Sequence, residues 1–92
     1  MHRDIDTVIA ELQRAHPSIA CEQLRVTHPT DDDGLWFFTH PDRPGEVQLE
    51  STTGQVPFLV EGTESPARDT AHSVEQAVAL VATRLGLIPR TG

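Results

Sequence analysis

The sequence predicts an α+β domain of order α-β-β-β-(β)-α, an antiparallel meander sheet of three to four strands with two helices packed on one face. Three observations carry this: helical apolar periodicity near both ends, period-two alternation between them, and clusters of Gly, Pro and Asp that punctuate the middle of the chain at short intervals. With 92 residues, one hydrophobic core can form and a second cannot, so residues 1–92 are read as a single domain.

From Asp4 to His16, the residues Ile5, Val8, Ile9 and Leu12 fall at i, i+3, i+4 and i+7, one face of an α-helix. Asp4 and Asp6 complement its positive end, Arg14 and His16 its negative end, and Pro17 stops it. Residues 22–28 alternate Leu24 and Val26 with polar neighbours and predict a first strand. The run His28-Pro29-Thr30-Asp31-Asp32-Asp33-Gly34 then reverses the chain into a second strand, 35–40. A turn over Pro41 to Gly45 leads to a third strand, 46–51, where Val47 and Leu49 alternate with Glu46, Gln48 and Glu50. Gly54 marks a tight hairpin, and 56–61 predicts a fourth strand, placed at the sheet edge because Pro57 cannot donate to a ladder. Glu61 to Thr70 is read as a polar loop. Ser73 and Gln76 have the spacing of a capping box for a helix over 73–86, with Val74, Ala77, Val78, Val81 and Leu85 as its apolar stripe and Gly86 as its C-terminal stop; 87–92 is a short tail.

Charge narrows the range of partners. Fourteen acidic residues against seven arginines give a formal charge of -7, and the arginines are dispersed along the chain. Nucleic-acid affinity comes largely from neutralising phosphates, so an acidic chain without a basic stripe argues against DNA, RNA and anionic membrane surfaces, and permits a basic protein partner. The element order resembles that of the double-stranded RNA-binding domain, a module whose second helix begins with basic side chains that grip the duplex. Here the corresponding Thr70-Ala71-His72-Ser73-Val74-Glu75 holds neither lysine nor arginine, and the function is not carried over with the order.

One cysteine, Cys21, precludes an intramolecular disulfide, and no apolar run of signal-peptide or membrane-spanning length follows the charged N-terminus. A cytoplasmic location is the expectation. The chain lacks lysine, tyrosine and asparagine, whose codons are A/T-rich, which points to a GC-rich and most simply bacterial coding sequence.

Several constellations invite chemistry and fall short of it. Thr27-His28-Pro29 and Thr39-His40-Pro41 repeat a tripeptide, yet the ends of consecutive antiparallel strands lie ~15 Å apart, too far for one ion. Asp31-Asp32-Asp33-Gly34 lacks the alternating acidic positions and distal glutamate of a calcium loop. Cys21 with a histidine, or Ser73 with His72 and Asp69, sits in no recognised nucleophile frame, and carboxylates such as Glu46, Glu50 and Glu61 are ordinary on the solvent face of an antiparallel sheet. No metal, cofactor or catalytic residue is therefore assigned.

The feature with a functional reading is Leu35-Trp36-Phe37-Phe38. Four consecutive large apolar residues on a strand put two on each face, whereas the flanking strands show one apolar face each. Either Trp36 and Phe38 or Leu35 and Phe37 then point away from the helices, joined by Leu59 and framed by Arg25, Gln48, Glu50 and Glu61. Such a patch suits a non-catalytic protein-interaction module, either a homodimer or an inhibitory, immunity-type partner of a basic protein. The alternative is a small enzyme or ligand-binding domain with a pocket between sheet and helices, using His28, His40 or a carboxylate.

Overall fold

The computed structural model describes residues 3–23, 34–51, 53–63 and 65–87. Two helices, α1 (Asp4–Ala15) and α2 (Val74–Arg84), enclose in sequence five strands: β1 (Ala20–Gln23), β2 (Leu35–His40), β3 (Arg43–Glu50), β4 (Phe58–Gly62) and β5 (Ser65–Ala71). All neighbours are antiparallel and lie in chain order β1-β2-β3-β4-β5, a simple meander. The predicted class holds, with one more strand than the sequence indicated.

Register fixes which side chains share a face, because directly opposed residues point the same way. Trp36 opposes Leu49, which opposes Val60; Phe38 opposes Val47; Phe58 opposes Ala71. Every one of these is buried, and they join Ile5, Val8 and Leu12 of α1 and Ala77, Val81 and Ala82 of α2 in one cluster. Both helices thus cover the same side of the sheet.

Each helix is closed by specific hydrogen bonds. The Asp6 carboxylate accepts from the Arg3 N–H at 3.0 Å. The free N–H groups of α1's first turn are met by the β3–β4 connection: Asp4 N–H donates to Gln55 Oε1 at 3.1 Å and Ile5 N–H to Gly54 O at 2.9 Å. Asp4 Oδ2 in return accepts from Val56 N–H at 2.9 Å. Gly54 has φ +73, the left-handed region that favours glycine, and a Cβ there would press on Arg3 Cδ at 3.0 Å and Ile5 Cγ2 at 3.2 Å. At α2, Ser73 Oγ accepts from Gln76 N–H at 3.1 Å, and Gln76 Oε1 accepts from His72 N–H at 2.8 Å, one residue before the position a capping box serves. The C-terminal end is a Schellman motif: Gly86, at φ +77, donates to Thr83 O and Leu87 to Ala82 O.

Several boundaries differ from the sequence expectation for physical reasons. The first strand begins earlier than residue 22, at Ala20, and is described to Gln23; residues 24–28 of the expected strand lie outside the described residues. The third strand begins at Arg43, because Pro41 and Asp42 alone make the turn. Between the pairs Phe38↔Val47 and His40↔Arg43 the ladder is irregular, and the surplus residues of β3 include Pro44 and Gly45, the latter at φ 111. A bulge of this kind accommodates a proline that has no N–H to offer. The fourth strand starts after Pro57 and is not at the edge. It pairs with β3 on one side and β5 on the other, so the missing N–H of Pro57 costs its ladder nothing.

The predicted loop 61–70 is corrected most. Ser65–Ala71 forms β5, the edge next to β4, where the ladder is made on one side only and Pro66 is tolerated. Ala67, Arg68, Asp69 and Thr70 are all exposed, so no alternation betrays the strand. Its hold on the domain comes partly from α2: Arg84, with only 13 % of its side chain exposed, donates to Asp69 Oδ2 at 2.6 Å and to Ala67 O at 2.9 Å.

Candidate functional site

The face of the sheet opposite the helices is built from the other half of each strand's alternation. One row runs Glu22, Phe37, Gln48, Glu61, Arg68 across all five strands, each residue opposed to the next. A second row runs Leu35, Glu50, Leu59, Thr70 across β2 to β5. Leu35, Phe37 and Leu59 are partly exposed, and Glu50 is exposed.

The structure thereby divides the four apolar residues of β2. Trp36 is 3 % and Phe38 0 % exposed, both in the core, so these two are removed from the expected interaction surface. Their partners Leu49 and Val47 already face the helices, and a one-residue register slip would bury Glu50 and Gln48 instead. Leu35, Phe37, Leu59, Gln48 and Glu50 come together on the open face, as the outward alternative requires. Arg25 lies outside the described residues. Glu46 and Glu61, expected on the solvent face, lie there, and Glu22 and Arg68 belong to the same face but were not assigned to it from sequence. Glu61 opposes Gln48, whereas Arg68 escaped because β5 reads as a loop in the sequence.

The electrostatics of this face are one-sided. Among the described residues it carries four carboxylates, from Glu22, Glu46, Glu50 and Glu61, and the single guanidinium of Arg68. Arg68 Nε lies 3.2 Å from Glu61 Oε1, an ion pair with most of the arginine in solvent and correspondingly little energetic weight. A shallow depression of about 140 Å³ is lined by Glu46, Gln48, Glu61, Gly62 and Thr63, where Glu46 N–H donates to Thr63 Oγ1 at 2.9 Å and Thr63 N–H to Glu46 O at 3.0 Å.

On the opposite side of the molecule, Thr7 and Glu11 of α1 and Val74, Glu75, Val78 and Ala79 of α2 line a groove of about 420 Å³. Val74 and Val78 pack partly against the core and leave an apolar floor there.

The groups considered for catalysis are occupied otherwise. His40, with 10 % of its side chain exposed, accepts from Asp42 N–H through Nδ1 at 3.1 Å and so closes the β2–β3 turn; His28 lies outside the described residues. Ser73 Oγ caps α2, and Asp69 is engaged by Arg84. Cys21 packs against the core, and its thiol is pushed up to about 11 by burial first and the neighbouring Glu22 carboxylate second, which keeps it protonated at neutral pH. Among the described residues, no three His, Cys, Asp or Glu side chains converge as a metal site would require, and no helix is long and apolar enough to cross a membrane.

No protein-family model, no curated protein and no solved structure matches this chain.

Proposed function

We propose that this domain is a non-catalytic interaction module that binds a basic protein through the open face of its sheet. The observation that carries the proposal is the outward placement of Leu35, Phe37 and Leu59 on a surface framed by Glu22, Glu46 and Glu61, with Glu50 set among the apolar residues. Apolar side chains at the centre supply the area whose desolvation drives association, and a surrounding ring of like charge steers an oppositely charged partner to it. The same charge disfavours a second copy of this chain as the occupant. Two such faces set against each other would confront eight carboxylates with two arginines. An inhibitory or immunity-type role toward a basic protein is the concrete form of this reading.

The test is affinity capture from cells that make the protein, with the wild type and the double variant Phe37→Ser/Leu59→Ser run in parallel. A basic protein retained by the wild type, released by salt and lost from a variant that still folds is the expected outcome. Retention of the same proteins by both would refute the assignment of the binding face.

A further inference from the structure

The row Leu35, Glu50, Leu59 places a charge where an interaction surface ordinarily keeps its apolar centre. Glu50 on β3 is directly opposed by Leu35 on β2 and by Leu59 on β4, and Phe37 lies one diagonal step away, beside Gln48. Directly opposed side chains are ~5 Å apart at Cβ and diagonal ones ~7 Å, so three apolar groups surround one carboxylate. Glu50 is exposed, and its carboxylate makes no hydrogen bond or ion pair among the described residues. Glu61, by contrast, already has Arg68.

An exposed carboxylate is fully hydrated and costs nothing while the face is open. Once a partner covers Leu35, Phe37 and Leu59, the same carboxylate loses its water, and an unpaired charge under an interface is strongly unfavourable. The penalty is avoided only if the partner brings a cation with donors aimed at it. Resting on the docking face proposed above, we propose that Glu50 determines its specificity: it admits a partner that sets an arginine or lysine over the Leu35-Glu50-Leu59 row, and it bars the face from stacking on a second copy. In a two-fold stack centred on this patch, the Glu50 carboxylates of both copies are brought together and dehydrated with no cation between them.

Two measurements test this on the intact chain. The first is molecular mass by sedimentation across concentration. The wild type is expected to stay monomeric, Glu50→Leu to self-associate, and Glu50→Leu/Phe37→Ser to return to monomer. A dimeric wild type, or a folded Glu50→Leu that remains monomeric, would overturn the barrier. The second uses a synthetic peptide of alternating leucine and arginine, with a leucine–glutamine peptide as control, followed by amide chemical shifts. The arginine peptide is expected to shift residues of the Leu35, Phe37, Glu50 and Leu59 patch and the control to leave them unmoved. Glu50→Gln should weaken it roughly 30-fold or more, as for a charge pair covered by an interface. Glu22→Gln, at the sheet edge, should weaken it only about fivefold or less, as for an exposed pair. Equal losses at Glu22 and Glu50, with Phe37→Ser still abolishing binding, would sink the role of Glu50 and leave the docking face standing. Binding that survives Phe37→Ser, or shifts confined to the helix groove, would sink the docking face itself.

Discussion

Phe37 and Phe38 are adjacent in sequence and on opposite faces of β2, so truncating each to alanine measures the face assignment directly. Phe38 is fully buried between the sheet and the helices, in a cluster with Val47, and Phe→Ala at such a site costs about 3–5 kcal/mol from lost transfer energy and the cavity left behind. A chain of 92 residues has roughly 5–14 kcal/mol of stability to lose, so Phe38→Ala should be marginal. Phe37 is partly exposed, with Glu22 and Gln48 as its cross-strand neighbours, and its truncation should cost about 1 kcal/mol in lost pair contacts and residual burial. Urea unfolding followed by the fluorescence of Trp36, itself 3 % exposed, and in parallel by circular dichroism, gives both numbers. With a slope near ~1.5 kcal/mol per M, the midpoint should fall by roughly 2–3 M for Phe38→Ala and by less than ~1 M for Phe37→Ala. Equal losses would refute the register of β2 against β3, and with it the composition of the open face.

Other perturbations test the supports of that face. Gly54→Ala must place a side chain at φ +73 against Arg3 and Ile5, and should destabilise by about 2 kcal/mol in the same unfolding assay; a neutral result would contradict the clasp on α1. Asp69→Ala strands the largely buried Arg84 guanidinium and should cost about 1–2 kcal/mol, whereas Asp69→Ala combined with Arg84→Met should recover part of that loss, a pattern a double-mutant cycle resolves. For Cys21 the folded state holds the proton more tightly than the unfolded chain, whose thiol titrates near 9.0. The stabilisation is complete below that value and lost as pH rises toward about 11. Unfolding free energies measured across this window should fall more for the wild type than for Cys21→Ala, and parallel curves would exclude the effect.

Elements with a strong internal pattern were legible in the sequence. Ile5, Val8 and Leu12 announce α1, Val47 and Leu49 announce β3, and Ser73 with Gln76 and Gly86 mark both ends of α2. What escaped was set by neighbours rather than by local residues. β5 is a strand because β4 offers it a ladder and Arg84 holds its carbonyl and carboxylate, and neither partner is visible in Ala67-Arg68-Asp69-Thr70. Pro57 argues for an edge only if it lies within β4, and β4 begins after it. The candidate face was half legible. The surplus of apolar residues in Leu35 to Phe38 signals two occupied faces, but which pair turns outward depends on register with β3, a property of two segments at once. The position of Glu50 between Leu35 and Leu59 depends on three.

The clasp between α1 and the β3–β4 connection joins residues 51 and 52 positions apart in the chain. As the polypeptide is synthesised, the helical segment emerges long before the backbone groups and the Gln55 amide that complete its first turn. The earliest element is thus sealed by a much later one, and α1 gains its full cooperativity only when three strands are in place. Amide exchange at Asp4 and Ile5 should consequently follow the opening of the 53–56 segment rather than fraying of the helix, making two N-terminal protons reporters for the middle of the sheet.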